Sequence, residues 1–234
     1  MRDLVNSIIV QNELQIIPVE SDPEINIDFA YYELKDDFFI FFYCDYEYLI
    51  TSNGGDITNL EYYLNALIID LKNNEAIKVF KERNLEYNLS FILVIEINEE
   101  NKNSIYDLNK IQENNKNAKK YILPYNKNEL NTLKEKISRH CPINEELNRI
   151  SIENSNCLGK KEQRWYELLM SLFIKIPFMN YLSVKENNKL GNISEAINDR
   201  LSKDQKSILS IIEKGDFNDS NIEKFLFDNK LISN

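Results

Sequence analysis

Leu89-Ser90-Phe91-Ile92-Leu93-Val94-Ile95-Glu96-Ile97 is apolar at almost every position. A strand with one wet face alternates apolar and polar residues; a run like this one needs cover on both sides. It therefore predicts a strand at the centre of a sheet, with helices above and below. Working outward, Phe38 to Cys44 is a second aromatic-rich run and Ile27 to Leu34 a third, separated by a turn at Lys35-Asp36-Asp37. Leu14-Gln15-Ile16-Ile17-Pro18-Val19 predicts a short edge strand, because Pro18 cannot donate to a central ladder. Tyr46 to Thr51 reads as a further strand, stopped by Ser52-Asn53-Gly54-Gly55. Lys120-Tyr121-Ile122-Leu123-Pro124-Tyr125 reads as another, closed by Pro124.

Helices fill the intervals. Thr58 and Glu61 have capping-box spacing, and Leu60, Tyr63, Leu64, Leu67, Ile68 and Leu71 recur on one helical face. A shorter helix is expected over Glu75 to Arg83. The polar stretch 101–118 predicts a surface helix and a loop, with Ile105, Leu108 and Ile111 as a thin apolar stripe. Asn128 is expected to cap a helix burying Leu130, Leu133 and Ile137, ended by Pro142. Beyond it only helical patterns appear. Trp165, Leu168, Leu169, Leu172, Phe173 and Ile176 mark one face, and Pro177 stops it. Ser202 and Gln205 open a helix with Ile208, Leu209, Ile211 and Ile212, which Gly215 closes; Ser220 and Glu223 repeat the capping spacing. The reading is an α+β chain: a mixed α/β sheet domain over 1–142, then an all-helical domain over 143–234. Five glycines and five prolines in 234 residues leave no linker, so the two are expected to pack closely.

The formal net charge of −10 repels nucleic acid unless basic residues gather locally. Lys116, Lys119, Lys120 and Lys127 form the densest group, with Lys134 and Lys136 beyond. They read either as a solvated helical face or as the footing of an independent DNA-binding module. Met1-Arg2-Asp3-Leu4 opens no apolar core of signal-peptide length, and no apolar run approaches the ~20 residues of a membrane span. A cytoplasmic protein without a membrane partner is expected. Cys44, Cys141 and Cys157 are widely spaced and His140 is the sole histidine, so no zinc-type ligand pairing appears and no metal site is expected.

No catalytic constellation is readable. No G-x-S-x-G elbow accompanies His140, Leu158-Gly159-Lys160 lacks the rest of a phosphate loop, and G-x-G-x-x-G is absent. Neither a catalytic residue nor a cofactor is expected. One enzymatic alternative stays open. Glu33-Leu34-Lys35 has the acid-x-Lys spacing that puts two side chains on one face of a strand, with Asp22 upstream, as in metal-dependent nucleases of the restriction type. The bland reading is a strand end entering an acidic turn. The Trp165 stripe likewise faces either its own core or a partner. Phe178, Met179 and Tyr181 cluster just past Pro177, as interface anchors do, which makes Trp165, Phe173, Phe178 and Met179 candidate partner-binding residues.

Two blocks carry a family resemblance: Asn88 to Glu96, and Ile111-Gln112-Glu113-Asn114 followed by Lys119-Lys120-Tyr121-Ile122-Leu123-Pro124-Tyr125. With the aromatic run Phe38 to Cys44, they resemble the middle components of bacterial ABC-three-component systems, a group overlapping the accessory subunit of Lamassu-type antiphage systems. The acidic stretch of that family is reduced here to Glu113 among asparagines. The resemblance implies that Tyr121, Leu123, Pro124 and Tyr125 are fold-defining motif residues. It also implies a non-enzymatic adaptor between an SMC-like ATPase and an effector, often a nuclease, with DNA reached only through the complex.

Overall fold

The computed structural model describes residues 1–181 apart from 20–24, 55–58 and 139–140. Its elements run α1 (Arg2–Gln11), β1 (Gln15–Val19), β2 (Asn26–Tyr31), β3 (Phe38–Asp45), α2 (Tyr46–Ser52), α3 (Leu60–Asn73), α4 (Glu75–Lys78) and α5 (Leu85–Asn88). Then come β4 (Leu89–Glu96), α6 (Ile105–Gln112), β5 (Lys119–Tyr125), α7 (Lys127–Lys136), α8 (Ile143–Glu153) and α9 (Arg164–Lys175). The five strands form one mixed sheet in the order β1-β2-β3-β4-β5. The first three are an antiparallel meander; β3, β4 and β5 are parallel.

The apolar runs dictate the layers. In β3, Phe38, Ile40, Phe42 and Cys44 point to one face while Phe39, Phe41 and Tyr43 point to the other, and all seven are buried. In β4, Phe91, Leu93 and Ile95 join the first set and Ile92 and Val94 the second. One core is closed by α2 to α6, through residues such as Leu49, Leu64, Ile68, Ile77, Leu85 and Leu108. The other is closed by α1, α7, α8 and α9 through Ile8, Leu133, Leu147, Leu169 and Leu172. The chain is thus an α+β protein with β4 inside the sheet, as its composition requires. Pro18 and Pro124 lie on the two edge strands, where a missing donor costs least.

Four elements differ from the reading of the sequence, which contains no counterpart of α1. Tyr46 to Ser52 is a helix, because the Asp45 carboxylate accepts from the Tyr48 N–H at 2.6 Å and caps it. Glu75 to Arg83 is broken: α4 stops at Lys78, a 3-10 turn spans Lys81–Arg83, and Asn84 takes left-handed backbone at φ 59°. The cap of α7 is Asn126 rather than Asn128, its Oδ1 accepting from the Asn128 N–H at 2.8 Å. Thr58 lies outside the described residues.

The packing does not break at 142. Pro142 stands at the start of α8, and both α8 and α9 bury their apolar faces on the same core as α1. The Tyr166 hydroxyl donates to the Ser151 carbonyl at 2.7 Å and clamps the two helices together. The chain divides instead after Leu182. The helices expected around Ser202 and Ser220 fall in Ser183–Asn234, outside the described residues.

Helix α1 is anchored by charge. Asp28, 1% exposed, faces it from β2, and Arg2 donates to both its oxygens at 2.8 and 2.6 Å. A carboxylate this deep is tolerable only with such a partner. Breaking a buried pair from one side costs about 3–5 kcal/mol. Arg2 is itself about a third exposed, so Arg2→Ala is expected to lose about 2 kcal/mol of unfolding free energy in urea titrations. Asp45→Ala is expected to lose about 1 kcal/mol by uncapping α2.

Candidate functional site

The four candidate partner residues belong to the core or its margin. Trp165 is 4% exposed; its indole N–H donates to Gln163 Oε1 at 2.6 Å, and Lys136 sits over its ring at 4.4 Å. Phe178 and Met179 are buried as well, the Phe178 ring lying 5.0 Å from that of Phe39 and 6.2 Å from that of Phe41. Phe173 is half-buried and meets Tyr181 edge-on at 5.5 Å. Packing within the core accounts for Trp165, Phe178 and Met179, so the expectation of a partner surface here is corrected to buried core for these three.

The acid-x-Lys pair has lost its geometric premise. Glu33 and Lys35 are exposed in the turn between β2 and β3, not on a strand, and Lys35 lies over the Tyr32 ring at 4.8 Å. Arg83 fixes that turn by donating to the Asp36 carboxylate and to the carbonyls of Tyr32 and Lys35. Asp22 and His140 lie outside the described residues, and among those described no group of three or more His, Cys, Asp or Glu could hold a metal ion. Cys44 is buried, which pushes its thiol pKa up and leaves it unreactive.

The lysine group is dispersed. Lys120 is 3% exposed, its ammonium donating to the carbonyls of Asn114 and Lys116 at 2.7 Å each. Lys127 pairs with Glu96 at 2.8 Å, and Lys136 serves Trp165. Lys116, Lys119 and Lys134 remain as exposed cations.

The motif residues Tyr121, Leu123, Pro124 and Tyr125 all lie on β5, and following them to its end leads to a cleft. Glu96 and Tyr125 are register partners at the carboxyl ends of β4 and β5. The Tyr125 hydroxyl donates to Glu96 at 3.3 Å, and burial raises the phenol's pKa well above its ordinary value. Past them the chain turns: the Ile97 N–H donates to the Tyr125 carbonyl at 2.8 Å, and Asn126 Nδ2 donates to the Ile97 carbonyl at 3.2 Å. Between these turns and the first turns of α7 and α9 opens a cavity of about 340 Å³. Ile97, Ile105, Pro124 and Leu168 give it apolar walls; Tyr125, Glu129, Arg164 and Glu167 give it polar ones. The carboxyl ends of parallel strands are where open α/β sheets hold ligands.

Its electrostatics are acidic. The Glu129 carboxylate accepts from the Asn126 N–H, completing a capping box with the Asn126 side chain. Even so, burial, and then the nearby charges of Glu99 and Glu167, hold its pKa above the ordinary value. Arg164 reaches Glu99 at 3.3 Å. The signal Asn126-x-x-Glu129 was present in the sequence, but the convergence of Glu129, Glu167 and Tyr125 was not, since they come from three elements.

Comparison with protein-family models, curated proteins and solved structures finds no match.

The raised pKa of Glu129 has a sign that can be checked. Its carboxyl favours the folded state below the ordinary glutamate value of 4.5, and that contribution is lost as pH rises through the raised value. Glu129→Gln keeps an acceptor for the Asn126 N–H but removes the charge. The variant is expected to match or exceed the parent in urea midpoint at neutral pH, and to lose that advantage in acid below pH 4.5.

Proposed function

We propose that this chain is a non-enzymatic adaptor subunit of a bacterial antiphage defence complex, bridging an SMC-like ATPase and an effector. One observation carries the reading. The strand segments of the two blocks that resemble the middle components of ABC-three-component systems are adjacent and parallel, in register from Ser90↔Lys119 to Glu96↔Tyr125. These strand segments make one structural unit, and its end, at Pro124 and Tyr125, opens into the cleft. A motif that both defines a strand pair and borders a recess suits a protein that works by holding partners.

In this reading the protein is cytoplasmic and meets DNA only through the complex. No helix among the described residues is long and apolar enough to cross a membrane. The nuclease alternative draws no support from Glu33 and Lys35, whose place in an exposed turn removes the shared strand face it needs.

Expression of the tagged chain with its genomic neighbours tests the proposal. Co-elution of a coiled-coil ATPase and a second subunit on size exclusion is the expected outcome. Elution of the chain alone, at every salt concentration, overturns it.

A further inference from the structure

We propose that the cleft at the ends of β4 and β5 receives an arginine side chain of a partner protein. The inference rests on the adaptor reading for the partner's identity, and on the cleft itself for the chemistry. A volume of about 340 Å³ is at the small end of the range for ligand sites, enough for one long side chain rather than a cofactor. The walls are of two kinds: Ile97, Ile105 and Leu168 offer apolar surface, while Glu129 and Glu167 offer carboxylates. A long aliphatic stem with a cationic head matches both at once.

The head is better a guanidinium than an ammonium. It is planar and weakly hydrated, takes a carboxylate through two parallel N–H bonds, and stacks on a flat ring such as Tyr125. That ring is steadied by its hydroxyl's hydrogen bond to Glu96. The local charge points the same way. A neighbouring recess shares Asn126, Glu129 and Arg164 with the cleft and continues past Glu99, Glu162 and Lys136. Across the two, Glu99, Glu129, Glu162 and Glu167 outnumber Arg164 and Lys136, and Arg164 is already turned toward Glu99. A divalent cation needs several oxygens converging on one point, and no such group is found among the described residues.

Titrating N-acetyl-arginine amide into the isotope-labelled full chain, with backbone amide shifts as readout, tests the site. Saturable shifts in the millimolar range are expected at Ile97, Tyr125, Glu167 and Ser171, as befits a single side chain. The neutral isostere N-acetyl-citrulline amide is expected to leave them unmoved. In the Glu129→Gln/Glu167→Gln variant binding is expected to weaken about tenfold or more. Should that variant not fold, Ser171→Trp, which fills the cleft from α9, is expected to abolish the shifts. Equal shifts with citrulline, shifts that survive either variant, or shifts produced by magnesium chloride and not by the arginine probe would each overturn the site.

The same variants in the co-expression experiment separate the two proposals. If the parent chain elutes alone yet binds the arginine probe, the adaptor reading falls and the site stands. If the double variant retains the partners as well as the parent does, the adaptor reading stands and the site falls.

Discussion

Two strands with no face to give to water set the terms for everything else in this molecule. Because β3 and β4 are apolar on both sides, each needs a neighbour in the sheet and a helical layer above and below. The parallel steps from β3 to β4 and from β4 to β5 supply one layer automatically, since such crossovers have room for helices. Two successive crossovers moving the same way across a sheet, with a fixed hand, fall on the same face. That is where α2 to α6 are found. The opposite face must then be covered by chain that precedes β1 or follows β5. Helices α1, α7, α8 and α9 do this, and it is why α8 and α9 cannot belong to a separate domain.

The parts of the fold legible in the sequence are those whose pattern has a single physical solution. The unbroken apolar run of β4, Pro18 on a strand, and the period of Leu60, Leu64, Ile68 and Leu71 each leave little choice. What misled was local ambiguity. Tyr46-Glu47-Tyr48-Leu49-Ile50 has strand-like residues, and only the capping bond from Asp45 decides for a helix. Helix α1 has a weak signal in the sequence because Leu4, Val5, Ile8 and Ile9 make only a short stripe, and Asp28 on β2, which holds Arg2, is distant in sequence. Phe178, just after Pro177, looked like an anchor for want of a visible partner, and that partner is β3.

The cleft shows a different limit. Each residue around it has a local task that explains it: Asn126 and Glu129 cap a helix, Tyr125 ends a strand, Leu168 faces the core. Nothing in their spacing says that they meet. They meet because β5 runs straight into α7 and because α9 returns across the sheet to pack on both. The motif segment was readable as a strand, but not the recess at its end.

The outer edge of β5 adds a last point. Outward-facing positions alternate along a strand, and the N–H of Ile122 turns away from β4 to meet the Gln112 side chain at 3.1 Å. The same Gln112 oxygen takes the Lys175 ammonium at 2.7 Å, and two residues on, Pro124 has no N–H to offer. At these two positions the border of the sheet offers no donor that another chain's backbone would recruit. Sideways growth of the sheet by a visiting polypeptide loses two ladder bonds there, which weakens any zipping of crowded copies along it.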